Sequence, residues 1–336
     1  MRALITGASG FIGGHLAAAL VKQGHRVTCL VRKTSRIDDL SSLGAEFAYG
    51  DVRDAASLTR ATRDVDAVFH LAGLTKALAY EELLRVNEQG TTNVAQACAD
   101  QPAPPVLVVV SSLAAAGPSP ADRPRLEADP ACPVSNYGRS KRAGELAALR
   151  YADRVPLSIV RPPIVFGEGD ADMLAMFRSI KWLRIHAVPG FTERRASMVH
   201  VSDLVAVLIA TAQRGERVLP SAEDNSSRGY YFLAAERNPT LAEWGQLIAR
   251  SLGYRRLRVL RTPERVLWLA AGMNEALARL RRRPHIFSLD KIREATAGSW
   301  VCDADRARRQ LDFSVGADLE DRFAQTARWY RSHGWI

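Results

Sequence analysis

Short apolar runs alternate with amphipathic stretches along the first half of the chain. Residues 3–5, Arg26–Val31, 67–71, 106–111 and Leu157–Arg161 have the length and composition of strands. Residues 11–23, 80–100 and 136–151 read as helices between them. The run Val106-Leu107-Val108-Val109-Val110 is apolar throughout, the pattern of a strand covered on both faces. Strand–helix alternation of this kind predicts a parallel sheet with right-handed crossovers, a doubly wound α/β (Rossmann) fold.

Beyond Pro162 the pattern loosens. Loops rich in Gly, Pro and charge at 167–172, 189–195 and 220–229 interrupt shorter elements, and 241–252 and 263–280 read as amphipathic helices. We therefore expect a nucleotide-binding domain over 1–165, to which 197–235 returns. A smaller substrate lobe is expected from 166–196 and 236–336. With 336 residues, 47% of them hydrophobic, the chain suffices for both.

Charge and cysteine content narrow the function classes. Cys29, Cys98, Cys132 and Cys302 are scattered, with no CxxC pair or histidine cluster, so neither a disulfide framework nor a metal site is expected. The net charge of +10 favours anionic ligands such as cofactor phosphates. No aromatic interleaving or nucleic-acid module accompanies it, so no nucleic-acid partner is expected. The N-terminus enters a strand at once, and no apolar run approaches the ~18 residues of a spanning helix. A soluble, cytoplasmic protein is expected. Residues 263–284 carry Leu267, Trp268, Leu269, Met273, Leu277 and Leu280 before Arg281-Arg282-Arg283. We read them first as a lobe helix with a solvated basic end, and second as a helix lying on an anionic membrane surface.

Thr6-Gly7-Ala8-Ser9-Gly10-Phe11-Ile12-Gly13 joins the first strand to the first helix. Gly7 permits a tight turn, Gly10 lets the backbone approach a pyrophosphate, and Gly13 lets the helix pack on the strand. The free N–H groups of the helix N-terminus then meet the phosphates. At the end of the second strand stand Arg32 and Lys33, with no acid between Gly13 and Asp38. An acid there would hold ribose hydroxyls, whereas an arginine accommodates a 2′-phosphate. NADP(H) is therefore expected in preference to NAD(H).

Tyr137 and Lys141 are four residues apart and project from one helical face. A tyrosine has a pKa of about 10, and a nearby ammonium lowers it toward the range useful for proton exchange. The strand ending Ser111-Ser112 delivers a serine to the carboxyl edge of the sheet, where ligands of such folds bind.

These motifs in order, joined by Asp51-Val52-Arg53-Asp54, His70-Leu71-Ala72-Gly73, Val86-Asn87, Arg161-Pro162-Pro163-Ile164-Val165-Phe166-Gly167 and Val199-His200-Val201-Ser202-Asp203-Leu204, resemble the extended short-chain dehydrogenase/reductase superfamily over nearly the whole chain. The closest likeness is to members of the dihydroflavonol-reductase and 3β-hydroxysteroid-dehydrogenase type. The resemblance implies that Asp51 accepts from the adenine amine beside Val52, and that Leu71, Ala72 and Gly73 line the cofactor. It implies that Asn87 supports the active-site helix and a water relay. Ser112 then polarises the substrate oxygen, Tyr137 exchanges its proton, and Lys141 tunes Tyr137 and binds the nicotinamide ribose. Pro162 and Val165 contact the carboxamide end. His70 and His200 are read as structural. A homodimer through a four-helix bundle of residues 80–100 and 136–151 is implied as well.

The resulting expectation is an oxidoreductase acting on a carbonyl or secondary alcohol of an apolar small molecule. Trp182, Trp244, Trp268 and Met273 suit such a substrate, or a lobe core equally well. A nucleotide-sugar epimerase or dehydratase is the alternative, and a non-catalytic cofactor-binding protein the third reading.

Overall fold

The computed structural model describes residues 1–220, 227–281, 285 and 287–336. Most of the loop expected at 220–229, and Arg282 and Arg283 of the basic run, lie outside the described residues.

In chain order the first elements are β1 (Arg2–Thr6), α1 (Phe11–Lys22), β2 (Arg26–Val31), α2 (Asp38–Ser41), β3 (Glu46–Tyr49), α3 (Ala55–Ala61) and β4 (Ala67–His70). Next come α4 (Tyr80–Leu84), a π-helical turn (Arg85–Gln89), α5 (Gly90–Ala99), β5 (Val106–Val110), α6 (Leu113–Ala116), α7 (Asn136–Leu149) and β6 (Leu157–Arg161). The second half contains β7 (Ile164–Phe166), α8 (Ala171–Leu183), β8 (Ile185–Pro189), β9 (Met198–His200), α9 (Val201–Arg214) and β10 (Tyr230–Phe232). It ends with α10 (Leu241–Ser251), β11 (Arg258–Thr262), α11 (Glu264–Leu280), α12 (Leu289–Thr296), α13 (Asp305–Leu311) and α14 (Leu319–Ser332).

Seven strands form one sheet in the order β10-β6-β5-β4-β1-β2-β3, and every pair in it is parallel. This is the doubly wound α/β fold. All five residues of β6 are buried, as a strand covered on both faces requires. One core layer packs Leu16, Leu20, Leu204 and Leu208 against the sheet. The other packs Val94, Cys98 and Ala148 on the opposite face. A third cluster, built on Phe166, Phe177, Phe323 and Tyr330, binds α8, α10 and α14 together. Thr6 is in register with both Leu30 and His70, so the carboxyl ends of β1, β2 and β4 form one rim. The sheet order reverses between β1 and β4, which opens a crevice at that rim.

The structure departs from the sequence expectation in two places. The helix expected over 80–100 is interrupted at Asn87, where the widened π turn pushes the Asn87 carbonyl toward α7. A Cβ on Gly144 would sit 2.2 Å from that oxygen, so glycine is what lets the two helices meet. The edge elements β3, α2 and α3 had no apolar run to announce them; β3 shows no fully buried residue. The helix expected over 263–280 forms as α11, and only Ala271 and Ala278 of its 17 residues are buried.

Candidate active site

The glycine turn packs directly on the loop after β4. Gly7 has φ +73°, and a Cβ there would lie 2.7 Å from Ala72 N. A Cβ on Gly13 would lie 2.2 Å from Gly7 O, so this helix–turn approach also needs glycine. Gly10 caps α1 with no side-chain bond to its first amides. Ser9 and Gly10 face solvent, while Phe11 and Ile12 reach the large cavity described below. The turn has the clearance and the free donors that a pyrophosphate requires. Arg32 and Lys33 are exposed at the β2 end. Asp51 accepts from Arg53 Nη2 at 2.7 Å, and that bond holds its carboxyl below the usual range, with a smaller contribution from Arg32. Val52 is buried against Gly90, and its carbonyl accepts from Asn93 Nδ2 at 2.9 Å.

His70 is locked in place. Thr91 Oγ1 gives its proton to Asn87 O at 2.7 Å, so it must accept from His70 Nε2, 2.9 Å away. His70 Nδ1 then accepts from Thr6 Oγ1 at 2.8 Å. Burial, with Lys141 adding to it, drives the ring down to about 3, so it stays neutral. Thr6 Oγ1 also accepts from Ala72 N at 3.2 Å, which fixes the Leu71-Ala72-Gly73 segment. Asn87 is buried; its Oδ1 accepts from Leu74 N at 2.8 Å, and its Nδ2 donates to Leu74 O at 2.9 Å and Ser140 Oγ at 2.8 Å. It ties the loop after Gly73 to α7.

Ser112, Tyr137 and Lys141 converge at the carboxyl edge of β5. Ser112 caps α6, accepting from Ala114 N at 3.1 Å, and its hydroxyl lies near enough to the Tyr137 phenol to favour the phenolate. Lys141 Nζ donates to Val110 O at 2.8 Å. Burial pushes this ammonium down to about 8, against the pull of Glu145. Gly138 makes the approach possible, because a Cβ there would lie 2.4 Å from Ala114 O. Beneath α7, Glu145 accepts from Arg161 Nε and Nη2 at 2.8 and 2.7 Å and from Ser111 Oγ at 2.5 Å. Burial acts to raise Glu145, but Arg161 outweighs it and keeps the carboxylate charged. Pro162 is buried and its carbonyl accepts from Leu113 N at 2.8 Å; Val165 lines the cavity.

The sequence reading missed α12. Asp290 accepts from Asn136 N at 2.7 Å and Tyr137 N at 3.1 Å, an N-terminal cap for α7 supplied from the far end of the chain. Glu294 accepts from Ser135 Oγ and from Lys291 Nζ, both at 2.6 Å. Burial raises the Tyr137 phenol, and Lys291 followed by Ser112 offsets part of that rise. Sequence reasoning assigned such tuning to Lys141; the cation the structure sets against the ring is Lys291. Spacing carries no signal for it, because the contact is made only by tertiary packing.

Tyr137, Ser112 and Lys291 lie in the wall of a cavity of about 1250 Å³. Ile164, Met173, Met176, Leu241, Trp244 and Leu267 give it an apolar side. Of the four residues expected to suit an apolar substrate, Trp244 lines this cavity, whereas Trp268 does not and Trp182 and Met273 are 75% and 67% exposed. The cations of the wall are already matched: Lys76 to Asp172, Arg194 to Glu264, Arg195 to Glu193, Arg279 to Glu275, Lys291 to Glu294 and Arg293 to Asp290.

The chain is similar to proteins of known activity. It is 33% identical over 332 residues to a ceramide reductase of Caulobacter vibrioides, covering 99% of this chain and 95% of the relative. It is 29% identical over 343 residues to sterol demethylase protein B of Methylococcus capsulatus, covering both chains entirely. Among solved structures, MoeE5 in complex with UDP-glucose and NAD superposes with a TM-score of 0.74 at 25% identity, covering 99% of both chains. The model of the NAD dependent epimerase/dehydratase family matches residues 3–222. With that match, and with the glycine turn, strand-end serine and Tyr137–Lys141 helix assembled on one rim, the chain belongs to the NAD dependent epimerase/dehydratase family, within the extended short-chain dehydrogenases/reductases.

Proposed function

We propose that the protein is an NADP(H)-preferring oxidoreductase that interconverts a carbonyl and a secondary alcohol on an apolar small molecule. The observation that carries this reading is that Ser112 and Tyr137 stand together in the wall of a cavity that also carries apolar side chains. A nicotinamide held at this rim would supply or take the hydride. Ser112 and Tyr137 hold the substrate oxygen, and Tyr137 gives or takes its proton. Lys141 and Asn87 position this pair from below, and Lys291 lowers the cost of the phenolate. Gly7, Ser9, Gly10, Phe11, Ile12 and Gly13 would hold the cofactor's pyrophosphate end, with Leu71, Ala72 and Gly73 beside it and Pro162 and Val165 at its nicotinamide. Asp51 and Val52 would face the adenine, and Arg32 and Lys33 the 2′-phosphate.

The paired cations of the cavity wall favour an uncharged substrate. A nucleotide diphosphate needs guanidinium or ammonium groups free to meet it, and each lining Lys or Arg among the described residues already meets a carboxylate. Trp244 Nε1 is a buried donor without an acceptor in this wall, suited to a single polar group on an otherwise apolar ligand. The names of the ceramide reductase and sterol demethylase relatives point the same way. We divide the chain accordingly into a cofactor domain, 1–165 with 197–235, and a substrate lobe, 166–196 and 236–336. We also assign a cytoplasmic homodimer joined through α5 and α7, whose Leu146 is 46% exposed; light scattering reads its mass.

Steady-state oxidation of NADPH with a panel of long-chain ketones tests the reading. Tyr137→Phe should retain cofactor affinity and lose turnover by about 10²–10⁴-fold. Near-full activity in folded Tyr137→Phe, or epimerisation without net NADPH consumption, rejects it.

A further inference from the structure

The outward face of α11 is apolar. Val266, Leu269, Met273, Leu277 and Leu280 are 54, 68, 67, 40 and 81% exposed. Their spacing of three and four residues puts them on one stripe, about 20 Å long at 1.5 Å per residue. Ala270 and Ala276 are exposed between them. Leu267, Asn274 and Ala278, on the inward side, line the cavity. A surface helix ordinarily turns its large apolar side chains inward, but here most of them face outward.

The apolar stripe continues into a basic surface. Strand β11 leads into α11, and its Arg258 pairs with Ile185 at the start of β8. Beside that pairing, Arg184, Arg250, Arg255, Arg256 and Arg258 line a recess of about 770 Å³ whose wall contains no carboxylate. Trp182 is 75% exposed just before it, and Leu260, on β11 between the recess and α11, is 45% exposed. Phe191, 70% exposed, is tied to β11 by a 2.9 Å bond from Arg261 Nη1 to its carbonyl. Apolar side chains and unneutralised arginines thus alternate along one continuous stretch of structure.

We propose that α11 and the arginine recess form a docking surface for an anionic lipid bilayer, with α11 lying in the plane of the interface. Charge decides the occupant. A second copy of this chain, which carries a net +10, would set the same arginines against each other in a two-fold contact. An anionic bilayer offers negative headgroups to the arginines and an apolar layer to the stripe. No helix among the described residues is long and apolar enough to cross a membrane, and lying in the interface requires none. Docking in this pose leaves only the thickness of α11 between the lipid and the cavity, so an apolar substrate passes from bilayer to Tyr137 without crossing water. That last consequence rests on the proposed apolar-substrate oxidoreductase; the docking itself does not.

The test is sedimentation of the full chain with vesicles, with no substrate present. Vesicles of mixed phosphatidylglycerol and phosphatidylcholine should carry the protein down, and pure phosphatidylcholine vesicles should not. Leu269→Glu with Met273→Glu should weaken partition by about 100-fold or more, while Arg255→Gln and Arg256→Gln should each weaken it about fivefold. Millimolar inorganic phosphate should not release the protein. All four side chains are exposed, so circular dichroism should be unchanged. The docking surface is overturned if the protein ignores anionic vesicles, or if Leu269→Glu with Met273→Glu sediments as well as the parent. It is also overturned if that double variant halves the scattering mass, which would make the stripe a contact between copies. Because no turnover is read, failure here and failure of the catalytic reading are separate results.

Discussion

The ammonium of Lys291 stands 5.6 Å from the centre of the Tyr137 ring and donates to Glu294 at 2.6 Å. Loss of water tends to lower this lysine, but Glu294 outweighs that and holds it above its ordinary range, so it is charged across the working pH. Because α12 also caps α7 through Asp290, the far end of the chain shapes the helix that carries Tyr137 and sets a charge beside it.

Lys291→Met should therefore make the phenolate harder to form. In the alcohol-oxidising direction the rising limb of the pH–rate profile should move to higher pH, with about tenfold lower kcat near neutrality. Lys291→Arg should restore most of the loss. A role confined to packing would lower the rate equally at every pH and leave the limb where it was.

Much of this site is legible in the sequence, and what is not has physical causes. The glycine turn was readable because Gly7 and Gly13 stand where any Cβ would strike backbone, a constraint written directly in the sequence. Ser112, Tyr137 and Lys141 were readable because strand ends and helical faces have fixed periods. Asp290, Lys291 and Glu294 were not, since nothing local distinguishes them from a solvated helix face. The break at Asn87 was missed because the residues of the π turn suit an ordinary helix; Gly144 on the neighbouring helix is its only mark. The exposed face of α11 has the same apolar spacing as a core helix, and periodicity reveals that a stripe exists but not which way it faces.

Glu145 and Arg161, with side chains 0% and 3% exposed, form a bidentate pair below α7. Arg161 also lies 4.5 Å from the centre of the Tyr230 ring. Glu145→Ala should cost about 3–5 kcal/mol, since it strands a buried guanidinium. Glu145→Leu combined with Arg161→Met should cost less than either single change, read by urea unfolding. Equal or additive losses would show that the charge is not what matters.

Asp170 gives the clearest pH dependence. It caps α8, accepting from Asp172 N at 2.9 Å and Met173 N at 3.2 Å. Burial raises its carboxyl to about 6, the two backbone bonds opposing and Asp172 adding to the rise. A raised acid favours folding below its unfolded value of about 4, and that contribution is lost as pH rises through about 6. Asparagine caps equally well and cannot ionise. Asp170→Asn should thus match the parent near pH 3 and gain stability through pH 4–6. Above that it should level off at an advantage on the order of 2–3 kcal/mol. Thermal unfolding across pH reads this, and a constant difference at all pH values would contradict it.

Cofactor preference turns on the end of β2. Arg32 is exposed there, its backbone N–H donates to Ser35 Oγ at 3.1 Å, and its charge reaches Asp51 across the same rim. On the proposed reading the guanidinium, with Lys33 beside it, would meet the adenosine end of the cofactor. A 2′-phosphate meets it through charge-assisted bonds, whereas a 2′-hydroxyl gives such a cation little to hold. NADPH should bind more tightly than NADH. Arg32→Ala should weaken NADPH by about tenfold, the worth of one charged hydrogen bond, and leave NADH nearly unchanged. Arg32→Asp should go further and reverse the order, because an acid at this position accepts from the ribose hydroxyls and repels the phosphate. Both cofactors are titrated by the quenching of intrinsic fluorescence, so no substrate is needed. Equal affinity for the two in the parent, or a loss of NADH binding as large as that of NADPH in Arg32→Ala, would place the discrimination elsewhere on the rim.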